Sequence, residues 1–269
     1  MFRGKKHDGF SYTINTLFRK NGYMQLQDPD CLSQRQVALK ISSETGIWFC
    51  SALHWKTYMT RLLQNLGMKD GFILEKANIE FLNAINEEIP FVIGEASIPQ
   101  WDLNITDKLC GTDSAFLLCE KRKNSFIISN PLGCISMMCS AEHLATLLKN
   151  KDAFVFYITK CIPVSITPIP ILIQDAVELV NQSNLISAMK NTTPPNSVRK
   201  RAALQYGIIG YLQSRIKLAE FFSLNCSVKR TLQKINISNI ETIFPQLLDA
   251  ESCFVSELHS AMQRCEKYE

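Results

Sequence analysis

Apolar residues recur along this chain at two periods, and the change from one to the other predicts its organisation. From Cys50 to Leu66, the residues Ala52, Trp55, Met59, Leu62, Leu63 and Leu66 fall at helical spacing. Gly67 follows, and glycine accepts the left-handed conformation that stops a helix. A second helix is predicted from Leu74 to Glu88, with Leu74, Ala77, Phe81, Leu82 and Ile85 on one side and Pro90 ending it. Before these, Phe10 to Gly22 reads as a short helix, Asp28-Pro29-Asp30 as a turn and Gln36 to Ile41 as a strand.

The period then shortens. Phe91-Val92-Ile93 reads as a buried strand, and Ser114 to Glu120 with Ser125 to Ser129 as a hairpin turning through Lys121-Arg122-Lys123-Asn124. Ala141 to Asn150 reads as a short helix and Ala153 to Thr159 as another strand. Two helices followed by a mainly antiparallel sheet predict an α+β class for residues 1–161. Three prolines, Pro163, Pro168 and Pro170, make residues 162–170 an extended connector. Residues 171–269 then read as a helical domain. It has a helix from Ile171 to Met189 and a break at Thr193 to Asn196. A helix capped by Ser197 follows, with Ala202, Ile209, Leu212, Ile216, Ala219 and Phe222 inward, and a last helix runs from Ala250 to Glu266.

Composition narrows the class. Of 269 residues, 46% are hydrophobic and 20% charged, which suits a folded core and argues against disorder. The net charge of +4 is too mild to call for nucleic acid. No apolar run reaches 18 residues, and the basic Met1 to Gly9 has no apolar segment behind it, so neither a membrane span nor a secretory signal is expected. The ten cysteines include no C-x-x-C pair, which argues against zinc and for a reducing, cytoplasmic setting without a metal or other cofactor.

The predicted helix start makes Cys50 the leading nucleophile. Unpaired amides and the helix dipole favour an anion there, and the thiolate is the reactive form. Its partner should be a histidine. Of His7, His54, His143 and His259, His54 is one helical turn beyond Cys50. Side chains tilt toward the helix start, so His54 lies beneath the thiol rather than across a cleft from it. Asn130, between a strand and Pro131, is placed to orient a base or to begin a turn. Glu44 and Trp48, which precede Cys50, and Ser114 of the hairpin are candidates for lining a substrate site. Arg199-Lys200-Arg201 is a basic cluster of the kind an acidic carrier protein favours.

Phe49-Cys50-Ser51-Ala52-Leu53, leading to Leu62-Leu63-Gln64-Asn65-Leu66-Gly67, resembles the nucleophile helix of papain-like cysteine peptidases. It is more similar to the family of the butirosin biosynthesis protein H N-terminal domain. In that family a later hairpin brings a histidine and then an aspartate or asparagine before a proline. Here the hairpin runs from Asp113-Ser114-Ala115 to Ser129-Asn130-Pro131, and Asp113 or Ser114 stands where the family has histidine. Glu44 stands where the peptidases carry glutamine. The resemblance implies a papain-like N-terminal domain, its nucleophile helix packed on an antiparallel sheet, with a helical C-terminal domain. It further implies acyl or aminoacyl transfer, in natural-product biosynthesis, from a carrier-protein thioester to a small-molecule amine or peptide through Cys50. Asn130 would orient, and His54, His143 or Asp113 would assist proton transfer. Loss of the hairpin histidine leaves two alternatives, a papain-like module that only binds and a peptidase or amidase on the same scaffold.

Overall fold

The strand-forming runs of the middle third pair into one antiparallel sheet. The computed structural model describes residues 9–42 apart from 25 and 27, then 46–51, 53–87, 89–97, 114–130, 135–148, 152–183 and 185–266. These group into two compact units: one within 1–30, 67–104 and 113–165, the other within 31–66 and 166–269. One division lies between Ser165 and Ile166, and residues 31–66 group with the helices of the C-terminal third.

The first unit has helix α1 (Gly9–Lys20), strand β3 (Phe72–Lys76), helix α4 (Ile79–Ala84) and strands β4 (Pro90–Ser97), β5 (Ser114–Arg122), β6 (Ser125–Asn130) and β7 (Ile135–Ser140), then helix α5 (Ala141–Leu147) and strand β8 (Phe154–Ile158). Helix α2 (Pro29–Leu32) spans the division at residue 30, and the second unit has strands β1 (Val37–Ser42) and β2 (Gly46–Ser51) and helices α3 (Trp55–Asn65), α6 (Ile169–Gln182), α7 (Leu185–Lys190), α8 (Val198–Phe221), α9 (Cys226–Gln233) and α10 (Ile243–Glu266). The fold is α+β.

The six-stranded sheet has the order β3-β8-β4-β5-β6-β7, and every pair is antiparallel. Its most apolar runs, Phe91-Val92-Ile93 and Phe154 to Phe156, lie on the interior strands β4 and β8, buried on both faces. One face carries Phe91, Ile93, Leu117, Cys119, Phe126 and Ile128 against Leu82 of α4 and Leu144 and Leu147 of α5. The other receives α1, where Phe18 stacks on Phe156 at 6.2 Å and Phe10 meets Phe116 edge-on at 5.4 Å. Glu95, at φ 56°, marks a bulge in β4, where the register to β5 shifts between Ile93 and Ala96.

The basic hairpin tip serves this unit internally. Arg122 and Lys20 both pair with Glu120, and hydrogen bonds from Lys20 are the main reason its carboxyl pKa is lowered. Lys121 Nζ donates to the carbonyls of Asn83 and Ile85, at the negative end of α4.

Several predicted elements change. Residues 74–76, expected to open a helix, instead belong to β3 and pair with β8, and α4 begins later behind the Asn78 cap. Strand pairing on an interior neighbour outweighs the helical spacing of Leu74 and Ala77. Gly67 does end its helix, at φ +67°. Ser197 occupies a cap position without a side-chain cap bond; its carbonyl accepts from Arg201 N–H at 2.9 Å. The predicted helix from Ile171 to Met189 is two helices, and the last helix starts at Ile243 rather than Ala250. None of the helices described is long and apolar enough to cross a membrane.

Candidate functional site

Cys50 lies in β2, paired in register with Ala38 of β1, and α3 starts only at Trp55. This corrects the expected placement in the first turn of a helix. The run Ile47-Trp48-Phe49 is bulky and β-branched or aromatic, and it pairs along β1 from Ile47 opposite Ile41 to Ser51 opposite Val37. The unpaired amides of α3 therefore lie beyond Cys50, and their anion preference falls off within one turn.

Those amides have a different partner. His54 is the N-cap of α3, and its Nδ1 accepts the Lys56 N–H at 3.2 Å. A neutral imidazole with Nδ1 accepting carries its proton on Nε2. The cap thus uses the lone pair a general base needs. His54→Ala is expected to cost about 1 kcal/mol of stability, whereas His54→Asp keeps the cap and adds a favourable charge at the helix start. Urea midpoints check this, and an unchanged midpoint in the alanine variant would refute the capping role.

The other predicted residues distribute as follows. Trp48 pairs with Lys40 in the same hairpin as Cys50. Asn130 ends β6 opposite Ile135, and Ser114 begins β5 opposite Ser97, both in the first unit. His143 is exposed on α5, in that unit as well. Glu44 and Asp113 lie outside the described residues. The structure thus brings Cys50, Trp48 and His54 into one short stretch of the second unit, and sets Asn130 and Ser114 in the sheet of the first.

Two groups that the sequence pattern does not single out organise the β1–β2 hairpin. Tyr58 of α3 is fully buried, and its hydroxyl accepts the N–H groups of Gln36 and Leu53 at 3.1 and 3.2 Å while donating to the Gln36 carbonyl at 3.0 Å. It clamps the two ends of the hairpin together, and burial raises its pKa. The second group is a buried polar cluster. Arg215 of α8 donates from Nε and Nη2 to the two carboxylate oxygens of Glu251 on α10, at 2.8 and 2.6 Å. Its Nη1 donates to Gln36 Oε1 at 2.9 Å, and Tyr211 donates its hydroxyl proton to Glu251 at 2.7 Å.

Burial opposes the charge on Arg215, but the Glu251 carboxylate outweighs it and the guanidinium pKa is raised. Burial, and then Glu251, pushes the Tyr211 phenol well up. The sequence does hold a trace of this cluster. Arg215 follows Leu212 by three residues on the predicted apolar stripe of its helix, and Glu251 precedes Phe254 by three on the stripe of α10. A charge within such a stripe calls for a buried partner.

A shallow depression runs along α3, lined by His54, Lys56, Thr57, Thr60, Arg61 and Gln64. Among the described residues no three of His, Cys, Asp and Glu are grouped to hold a metal ion. Buried Cys119 sits in the sheet core, where desolvation holds its thiol well above the ordinary value, so it is a small hydrophobe rather than a nucleophile. Compared with known protein families, curated proteins and solved structures, the chain matches none.

Proposed function

We propose that this chain is a binding protein on a papain-like scaffold, taking a small-molecule or peptide ligand without thiol catalysis. One observation carries the reading: Cys50 belongs to a paired strand, and the histidine nearest it in sequence spends its free ring nitrogen closing α3. A thiol raised to nucleophile needs an acceptor for its proton, and Nδ1 of that histidine is already engaged by the Lys56 N–H. The test uses an acyl-pantetheine thioester as a stand-in for an acylated carrier protein. Intact-mass measurement is expected to show no acyl gain on the wild type, and Cys50→Ala is expected to keep the wild-type unfolding midpoint. One acyl group on the wild type that is missing from Cys50→Ala would overturn the reading.

That second result would favour acyl or aminoacyl transfer, which one observation supports. The support is an antiparallel β5–β6 hairpin whose second strand ends on Asn130, the residue that would orient the base in that reaction. In that reaction the Cys50 thiolate attacks the carrier thioester and the carrier thiol leaves. The amine then attacks the Cys50 thioester, forming the amide and releasing the thiol. Release of free acid without an added amine would instead mark the peptidase or amidase reaction.

A further inference from the structure

A two-stranded hairpin is marginal on its own in water, so β1–β2 needs support from elsewhere. Both of its strands are supported from α8. On the β2 side, the Phe49 ring stacks on Tyr211 at 5.2 Å, and the backbones approach so closely that a Cβ on Gly207 would meet the Phe49 amide nitrogen at 3.2 Å. On the β1 side, Arg215 holds the side chain of Gln36, the residue before Val37. The Glu251 carboxylate on α10 fixes both supports at once, by accepting from Tyr211 with one oxygen and from Arg215 with both. Arg215 and Glu251 are essentially inaccessible to solvent, at 0% and 1% side-chain exposure, so water cannot stand in for a lost partner.

We propose that Gln36, Tyr211, Arg215 and Glu251 form a conformational latch that makes the order of the β1–β2 hairpin conditional on α10 presenting Glu251 to Tyr211 and Arg215 of α8. The residues act on position alone. Removing the Glu251 charge loosens the two groups it fixes in place, the Tyr211 ring stacked on Phe49 and the Arg215 fork that reaches Gln36. The latch sets the order of the strand that carries Cys50 whether or not that thiol reacts, and so goes beyond the binding function proposed above.

Hydrogen exchange read by mass spectrometry on the full chain tests this. Glu251→Gln is compared with Leu258→Ala, a buried apolar truncation on the same helix, at denaturant concentrations that match their global stability. Peptides covering residues 37–51 are expected to exchange about tenfold faster in Glu251→Gln than in Leu258→Ala, while those covering β5 and β6 exchange alike. Equal hairpin exchange in the two variants, or hairpin exchange at the wild-type rate in Glu251→Gln, overturns the latch. Gln36→Met cuts the Arg215 link, together with the bond from Gln36 Nε2 to the Gln34 carbonyl, and leaves the ion pair whole, so it separates the same two outcomes if Glu251→Gln does not fold. Selective exchange of 37–51 supports the latch, and its absence refutes it.

Discussion

Arg215→Met is expected to cost this protein roughly 3–5 kcal/mol, because it leaves the Glu251 carboxylate buried without its charge partner. The desolvation of that carboxylate is sustained by two guanidinium hydrogen bonds and one from Tyr211. With the guanidinium gone, only the phenol remains. The ring of Phe254 under the guanidinium, 4.8 Å from Arg215 Cζ, also loses its cation. Removing both charges together with the Tyr211 hydroxyl has the opposite expectation. Arg215→Met with Glu251→Leu and Tyr211→Phe leaves no buried charge, and should recover most of the loss, since apolar replacements of buried ion pairs are often neutral or better. Guanidinium midpoints of the single and triple variants distinguish the two cases. A triple variant as unstable as the single would mean that the cluster contributes directly through its hydrogen bonds.

Gly94→Ala carries the second large effect, about 3 kcal/mol of destabilisation from overpacking. Gly94 pairs with Phe154 across β4 and β8, and the phenyl ring lies over it. A Cβ at that position would stand 2.2 Å from Phe154 Cζ. The ring has little room to withdraw. Phe154 is 1% exposed, and it meets Phe116 edge-on at 6.3 Å beneath α1. Glycine in an interior strand normally weakens it, and here the aromatic ring takes the place of the missing side chain. Phe154→Leu in the Gly94→Ala background is expected to restore part of the midpoint, because the clash goes with the ring. If the alanine variant melts with the wild type, the ring does not fill the glycine site.

The contrast between β4 and β2 shows why some of this architecture is legible in the sequence. Phe91-Val92-Ile93 has apolar residues at every position and Pro90 before it, so a buried strand is the natural reading, and it sits inside the sheet. The hairpin of β5 and β6 is equally plain, because polar Lys123-Asn124 separates two β-rich runs. In residues 47–66 the pattern misleads over the first half. Ala52, Trp55 and Met59 continue a helical period backward into Phe49 and Cys50, and nothing local shows that β1 will pair there. Histidine is a weaker sequence signal for a cap than Ser, Thr, Asp or Asn, so the true start at His54 is hidden.

The same cause moves the candidate site. A nucleophile argument drawn from a helix start depends on where that start lies, and a shift from Cys50 to His54 removes its physical basis. Tyr58 is illegible for a different reason. An aromatic at helical spacing reads as core, and only the fold shows that its hydroxyl meets the two ends of a hairpin.

The path of the chain between its two units has a consequence for synthesis on the ribosome. The β1–β2 hairpin emerges early, yet its anchor Arg215 is 179 residues beyond Gln36, and Glu251 comes later still. At translation rates of about 5–20 residues per second, the hairpin waits roughly 10–40 s for that anchor. The sheet of the first unit, complete by Ile158, is translated during the same interval. Until Arg215 and Glu251 have been made, the hairpin lacks the support that holds it in the folded chain.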